Sequence, residues 1–157
     1  DLESRKCRQL FRAKNSVAVP YDWSPDGKFI LADVRDTIDR SNSDIWKIET
    51  EGDAHKQISF LDGRQVKPDL SPGGNLILFS SNHEGNAELY VMSCEGGDPL
   101  RLTYYEGDEN NPGYDVEGDW SPDGRKIAFS STRSGYWAIW IMQVNPDDIK
   151  ARLSATL

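Results

Sequence analysis

"DWSPDG" occupies residues 22–27, returns letter for letter at 119–124, and stands between them as "DLSPGG" at 69–74. Proline presets φ for the second position of a tight turn, aspartate tolerates the third, and glycine takes the left-handed conformation that doubles the chain back. The hexapeptide therefore reads as a hairpin corner. The residue ahead of each serine is Trp23, Leu70 or Trp120, large and apolar every time, as suits an inner strand wedged against a neighbouring unit. Gly73 replaces aspartate in the middle copy, which keeps the turn and loosens it.

Ser24 and Ser71 lie 47 residues apart and Ser71 and Ser121 lie 50 apart, a period that signals propellers, solenoids or arrays. An apolar, β-favouring run follows each serine: "KFILADV" from Lys28, "NLILFSS" from Asn75 and "KIAFSS" from Lys126. Next come "DIWKIE" around Ile45, "AELYVM" around Leu89 and "AIWIMQV" around Ile139, then "KQISF" around Ile58, "LRLTYY" around Leu102 and "ARLSA" around Leu153. Each unit reads as four short strands, too closely set for long helices, so the fold class is all-β. One stretch, "NPDDIKARL", looks like a capped helix start at Asn145 and Pro146. Its equivalents in the other units are strand-forming, and the repeat predicts a strand there.

The formal charge of −8 with no basic cluster opposes nucleic-acid binding. The basic residues of the first 14 positions are interleaved with apolar ones, as on a solvated strand face. No apolar run is long enough to span a membrane. Cys7 and Cys94 cannot supply a four-ligand zinc site and can pair or stay reduced.

The order of corner, "KIAFSS" strand, "ELYVM" or "IWIM" strand and "GGDPLRLT" closing strand resembles the blades of the TolB-type β-propeller family. The likeness covers nearly the whole chain and is strongest in the second and third units. The first departs from it by an insertion, "VRDTIDRSNSD", an elaborated surface loop. The resemblance implies a ring of four-stranded blades around an axial channel, used for protein contacts and often periplasmic. Similar blades form the propeller lobe of prolyl-oligopeptidase-like serine peptidases, and fold alone does not separate these functions.

Three corners make three blades, half of a six-bladed ring: residues 16–62, 63–112 and 113–157, preceded by an extra outer strand in residues 1–15, all in one propeller segment of residues 1–157. "CRQLF" is expected to pair with a blade from outside its own sequence unit. Raw blade ends forfeit roughly 1.5–3 kcal/mol for every large apolar side chain left wet. Either a longer chain or a second copy, joined head to tail as a homodimer, must cover them; Asp1 in place of an initiator Met favours the longer chain.

No serine sits in a G-x-S-x-G elbow, and His55 and His83 have no catalytic partner at a suggestive spacing. The chain is expected not to be an enzyme and to carry no cofactor. The link between Leu102 and Ser121 is longer than its predecessor and holds "EGDENNPGYDVEGD". Glu106, Asp108, Glu109, Tyr114, Asp115 and Glu117 are its candidate binding residues, an acidic patch for a basic partner at one channel mouth. Calcium is the alternative ligand for such an oxygen-rich loop, although the spacing is not that of an EF-hand, and no metal is assigned. The expected function is a non-catalytic module that binds a protein or peptide through blade-connecting loops. The alternative is the propeller lobe of a serine peptidase whose catalytic domain lies elsewhere.

Overall fold

The computed structural model describes residues 7–105, 107–108, 110 and 112–155. Three antiparallel sheets follow one another along the chain. The first joins β1 (Ser16–Trp23), β2 (Phe29–Asp36), β3 (Ser43–Glu49) and β4 (His55–Gln57) in that order. The second joins β5 (Gln65–Leu70), β6 (Leu76–Ser81), β7 (Glu88–Ser93) and β8 (Leu100–Arg101). The third holds β9 (Asp115–Trp120), β10 (Lys126–Ser131) and β11 (Ala138–Gln143), followed by helix α1 (Pro146–Ser154). Each sheet is a simple meander. Contacts of β1 with β5 and of β5 with β9 set the three side by side as propeller blades, first strands innermost.

The repeated hexapeptide makes the corner between the first two strands of each blade. Gly27, Gly74 and Gly124 take φ of 73°, 72° and 68°, and their N–H groups close the turn on the Ser24, Ser71 and Ser121 carbonyls at 2.8, 2.7 and 2.8 Å. The serine hydroxyl explains the fixed serine. It accepts the N–H of Phe29, Leu76 or Lys126 at 3.0, 3.1 and 2.9 Å, tying the second strand to the turn. Where aspartate follows, Ser24 and Ser121 donate to Asp26 and Asp123, whose carboxyls are held below the usual range by those bonds. In the middle copy Ser71 turns to Asn75 at 3.4 Å instead.

The closing strands carry a second latch. The Ser59 hydroxyl accepts the Ile45 N–H at 2.8 Å and the Thr103 hydroxyl accepts the Leu89 N–H at 3.0 Å. Thr103 donates in turn to the buried Glu88 carboxylate, which also receives the Tyr105 N–H at 2.8 Å and lies 3.3 Å from Arg101.

The core lies in the two seams between blades. Leu31, Ile45 and Ile58 of the first blade pack on Leu70, Ile77, Phe79, Tyr90 and Met92 of the second. The opposite face of the second blade, Leu76, Leu78, Leu89 and Val91, packs on Trp120, Ile127 and Phe129 of the third. Burying one such side chain stabilises by about 1.5–3 kcal/mol, so the middle blade, covered on both faces, is the anchor.

Two expectations are corrected. "ARLSA" is not a fourth strand of the third blade but part of α1. The Asn145 side chain caps the helix by accepting the Asp147 N–H at 3.1 Å, Pro146 fits its first turn, and Asp147 and Asp148 face its positive end. Ile149 and Leu153 then enter the second seam, and Ser154 donates to the Lys150 carbonyl rather than latching a strand. The local signal wins because the helix buries its apolar side on the same cluster that a strand would have met. The outer strand expected in residues 1–15 is likewise absent where described: residues 7–13 carry no regular structure, and residues 1–6 lie outside the described residues. This segment packs through side chains, Phe11 lying 5.4 Å from Trp46 and 5.0 Å from His55 between ring centres.

Candidate functional site at the channel mouth

The inner strands break their pairing at one equivalent place. Register shifts fall between Pro20 and Asp22 on β1, between Val66 and Asp69 on β5, and opposite Ala128 and Ser130 on β9. Each is a one-residue bulge, a device that re-aims side chains and concentrates near binding sites. Lys67 and Glu117 stand at matching bulge positions in the left-handed region, with φ of 54° and 58°. Non-glycine residues persist there only where their surroundings hold them. For Glu117 the hold is visible: its N–H donates to the Ser80 hydroxyl at 3.0 Å. The Lys67 ammonium and Glu117 carboxylate then pair across the seam.

Two clefts adjoin this pair. One, of about 220 Å³, is lined by Arg64, Val66, Ser80, Asn82, Ala87 and Val116 together with the pair. The other, of about 210 Å³, lies farther along the axis against Tyr21, Pro68, Asp69, Gly118 and Asp119. Sharing Lys67 and Glu117, the two make one groove along the first strands β1, β5 and β9.

Asp69, Asp119 and Glu117 share the groove's lining with Arg64 and Lys67, and Asp22 and Asp33 stand on the neighbouring strands. Asp22 accepts the Leu70 N–H at 2.9 Å, and Asp69 accepts the Trp120 N–H at 2.7 Å. In the first two copies the first letter of the hexapeptide is thus a clamp on the next blade. Burial, and then the charges of Asp119 and Asp22, push the Asp69 carboxyl up to about 6. Asp33 is raised as well, by burial opposed by Tyr21, Arg35 and Arg64, and its Oδ1 has no hydrogen-bond partner.

The six residues expected at the site divide. Glu106 and Glu109 lie outside the described residues. Asp108 is exposed and accepts the Asn110 N–H at 2.8 Å. Tyr114 stacks on Trp137 at 6.1 Å and lines neither cleft. Asp115 is fully buried and ion-paired with Arg133, so it builds the loop's root and faces no partner. Glu117 lies in the groove with Lys67. Among the described residues no three His, Cys, Asp or Glu side chains gather as a metal site, and no disulfide joins Cys7 to Cys94. The sequence reading missed Arg64, Lys67 and Asp33, which are scattered along the chain and meet only through the bulges.

Comparison with known proteins agrees with this architecture. The family model of the Tricorn protease N-terminal beta propeller domain matches residues 36–154. TolB from Acinetobacter baumannii superposes with a TM-score of 0.74 at 25% identity, over 92% of this chain and 34% of that one. A putative TolB from Agrobacterium tumefaciens gives 0.68 at 25% identity, over 84% and 47%. The uncharacterized peptidase YuxL of Bacillus subtilis is 35% identical over 92 residues, 56% of this chain and 14% of that protein. The chain thus spans less than half the length of each. From its three blades, its repeated corner and its match to the family model, the chain belongs to the Tricorn N-terminal β-propeller family and is TolB-like in its blades.

Proposed function

We propose that the chain is a non-catalytic propeller segment that holds a protein or peptide partner at the axial mouth, its ring completed by further blades. The observation that carries this reading is the groove itself, two clefts divided by Lys67 and Glu117, both held in the left-handed region. An extended peptide suits such a groove, because bulged strands re-aim side chains into it. Exposed Asp108, with Glu106 and Glu109 in the same loop, gives the rim its affinity for basic residues, and Tyr114 supplies an amphipathic contact surface. From the TolB likeness we propose a periplasmic location.

The test is selection of peptides from a displayed random library on the 157-residue chain, followed by fluorescence anisotropy of the selected peptides. Lys67→Glu is expected to weaken them at least tenfold and Asp108→Lys severalfold. Peptides that bind Lys67→Glu as tightly as the parent protein refute the axial site.

The similarity to YuxL supports a second reading, the propeller lobe of a serine peptidase. A G-x-S-x-G elbow followed by aspartate and histidine, encoded in the same gene outside these 157 residues, would favour it over the first.

A further inference from the structure

The cleft of about 220 Å³ is lined by hydrogen-bond donors whose protons no group among the described residues takes, and we infer that it receives the carboxylate of an acidic side chain on the bound peptide. The inference rests on the proposed peptide groove and names the chemistry that the groove selects. Every residue involved belongs to the second or third blade, at the internal seam between them.

Three side chains supply the donors. Arg64 and Asn82 are locked together through the backbone: the Arg64 N–H donates to Asn82 Oδ1 at 2.7 Å, and the Asn82 N–H donates to the Arg64 carbonyl at 3.3 Å. A backbone N–H can only donate, so the amide oxygen of Asn82 occupies that contact and Nδ2 is the atom left over. Gly63 permits the close approach, since a β-carbon there would lie 2.6 Å from Oδ1. The Nδ2 protons have no partner among the described residues. Neither does the Arg64 guanidinium, whose charge reaches Asp33 without an ion pair. Ser80 is 2% exposed. Its hydroxyl oxygen accepts the Glu117 N–H at 3.0 Å, which leaves its own proton to give.

The matching place in the third blade is closed. Tyr114 and Thr132 stand one 50-residue repeat beyond Arg64 and Asn82 and keep the lock, Thr132 Oγ1 accepting the Tyr114 N–H at 3.1 Å. There the Thr132 hydroxyl spends its proton on the Pro112 carbonyl at 2.8 Å, and the Tyr114 ring stacks on Trp137. Blade architecture thus requires the lock but not the spare donors, which the second blade holds out to a ligand.

Charge selects that ligand. Arg64 and Lys67 bring two positive charges to the cleft, and Glu117, paired with Lys67, brings one negative charge. One positive charge is left in excess, which matches a carboxylate better than a phosphate dianion. A guanidinium presents parallel N–H groups to a planar carboxylate, and Asn82 and Ser80 serve the remaining lone pairs. Val66, Ala87 and Val116 line the same cleft, an apolar wall for the methylene stem of a glutamate. Asp69 and Asp119 line the neighbouring cleft, so the peptide that fits carries its acidic side chain beside a basic one.

Amide chemical-shift titrations of the isotope-labelled 157-residue chain test the assignment. The probes are acetyl-Ala-Glu-Ala-amide, the same tripeptide with Gln for Glu, the Gln tripeptide with a free terminal carboxylate, and inorganic phosphate. The Glu probe should move the amides of Arg64, Ser80, Asn82 and Glu117 and bind at least tenfold more tightly than the capped Gln probe. Arg64→Met, which keeps the stem, should weaken it at least tenfold. Asn82→Asp, which keeps the acceptor for the Arg64 N–H and turns the donor into a carboxylate, should abolish it. Both positions are exposed, and unchanged far-UV circular dichroism will show each variant folded. Equal binding of the capped Glu and Gln probes overturns the site, as does tighter binding of the free-acid probe or of phosphate than of the Glu probe. Library-selected peptides that weaken with Lys67→Glu but not with Arg64→Met overturn it too, and leave the groove standing. A Glu probe that needs Arg64, alongside selected peptides indifferent to Lys67→Glu, keeps this site and sinks the groove.

Discussion

Asp69 offers the sharpest test of how the blades are clamped. Its carboxylate accepts the Trp120 N–H across the second seam at 2.7 Å, yet burial and two neighbouring aspartates raise its pKa from 3.8 to about 6. The folded state therefore binds this proton more tightly than the unfolded state. The sign follows by linkage: the contribution of Asp69 to stability is fullest below about 3.8 and is lost as pH rises through about 6. Two pH units at ~1.36 kcal/mol each give about 3 kcal/mol, and because Asp69 is only half-buried, solvent screening reduces this to about 1–2 kcal/mol. Asn at this position keeps an acceptor for the amide and removes the charge. Urea unfolding of Asp69→Asn and the parent protein, at a series of pH values from about 4.5 to 7.5, isolates the effect. The variant should gain about 1–2 kcal/mol on the parent between the acid and neutral ends. Asp69→Ala, which strands the amide, should cost about 1–3 kcal/mol at every pH. Parallel pH profiles for Asn and parent would refute the reasoning, since they would mean that the carboxylate is as well solvated folded as unfolded.

Two further outcomes are expected. A β-carbon at Gly118 would lie 2.7 Å from Leu78 and 3.1 Å from Leu89, so Gly118→Ala should cost about 1–3 kcal/mol by overpacking, read by thermal or urea melts; an unchanged melt would show that the second seam yields freely. Asn145→Ala removes the cap of α1 and should cost about 1 kcal/mol, while Ile149→Ala empties part of the seam and should cost about 2–4 kcal/mol. Hydrogen exchange should show both losses first in residues 146–154, and uniform loss across all blades would argue that the helix is no separate unit.

The blades were legible in the residues because their signals are local and repeated. Proline and glycine fix the corner wherever they stand together, and alternating apolar runs can bury themselves only as strands in this spacing. The same locality explains the error at the chain's end. Asn145, Pro146 and two acidic residues specify a helix start by backbone chemistry alone, and analogy with "QISF" and "RLTY" could not override it. The candidate site was read from loop composition alone: the structure sets Glu117 beside Lys67 and Tyr114 against Trp137, but Asp115 belongs to the buried pair with Arg133. No spacing rule foretells that a carboxylate from an acidic loop will turn inward to an arginine in the turn after β10.

What the chain's letters determined alone is the blade, its corner and its count, since each depends on contacts within about 50 residues. Tertiary structure decided which groups share the axis. Lys67 and Glu117 lie 50 residues apart and meet only because both inner strands bulge at the same level. Asp22 and Asp69 became clamps on the next blade only when the blades stood side by side. Long-range placement follows from how wedge-shaped sheets pack, and packing is a property of faces, which a linear pattern records one strand at a time.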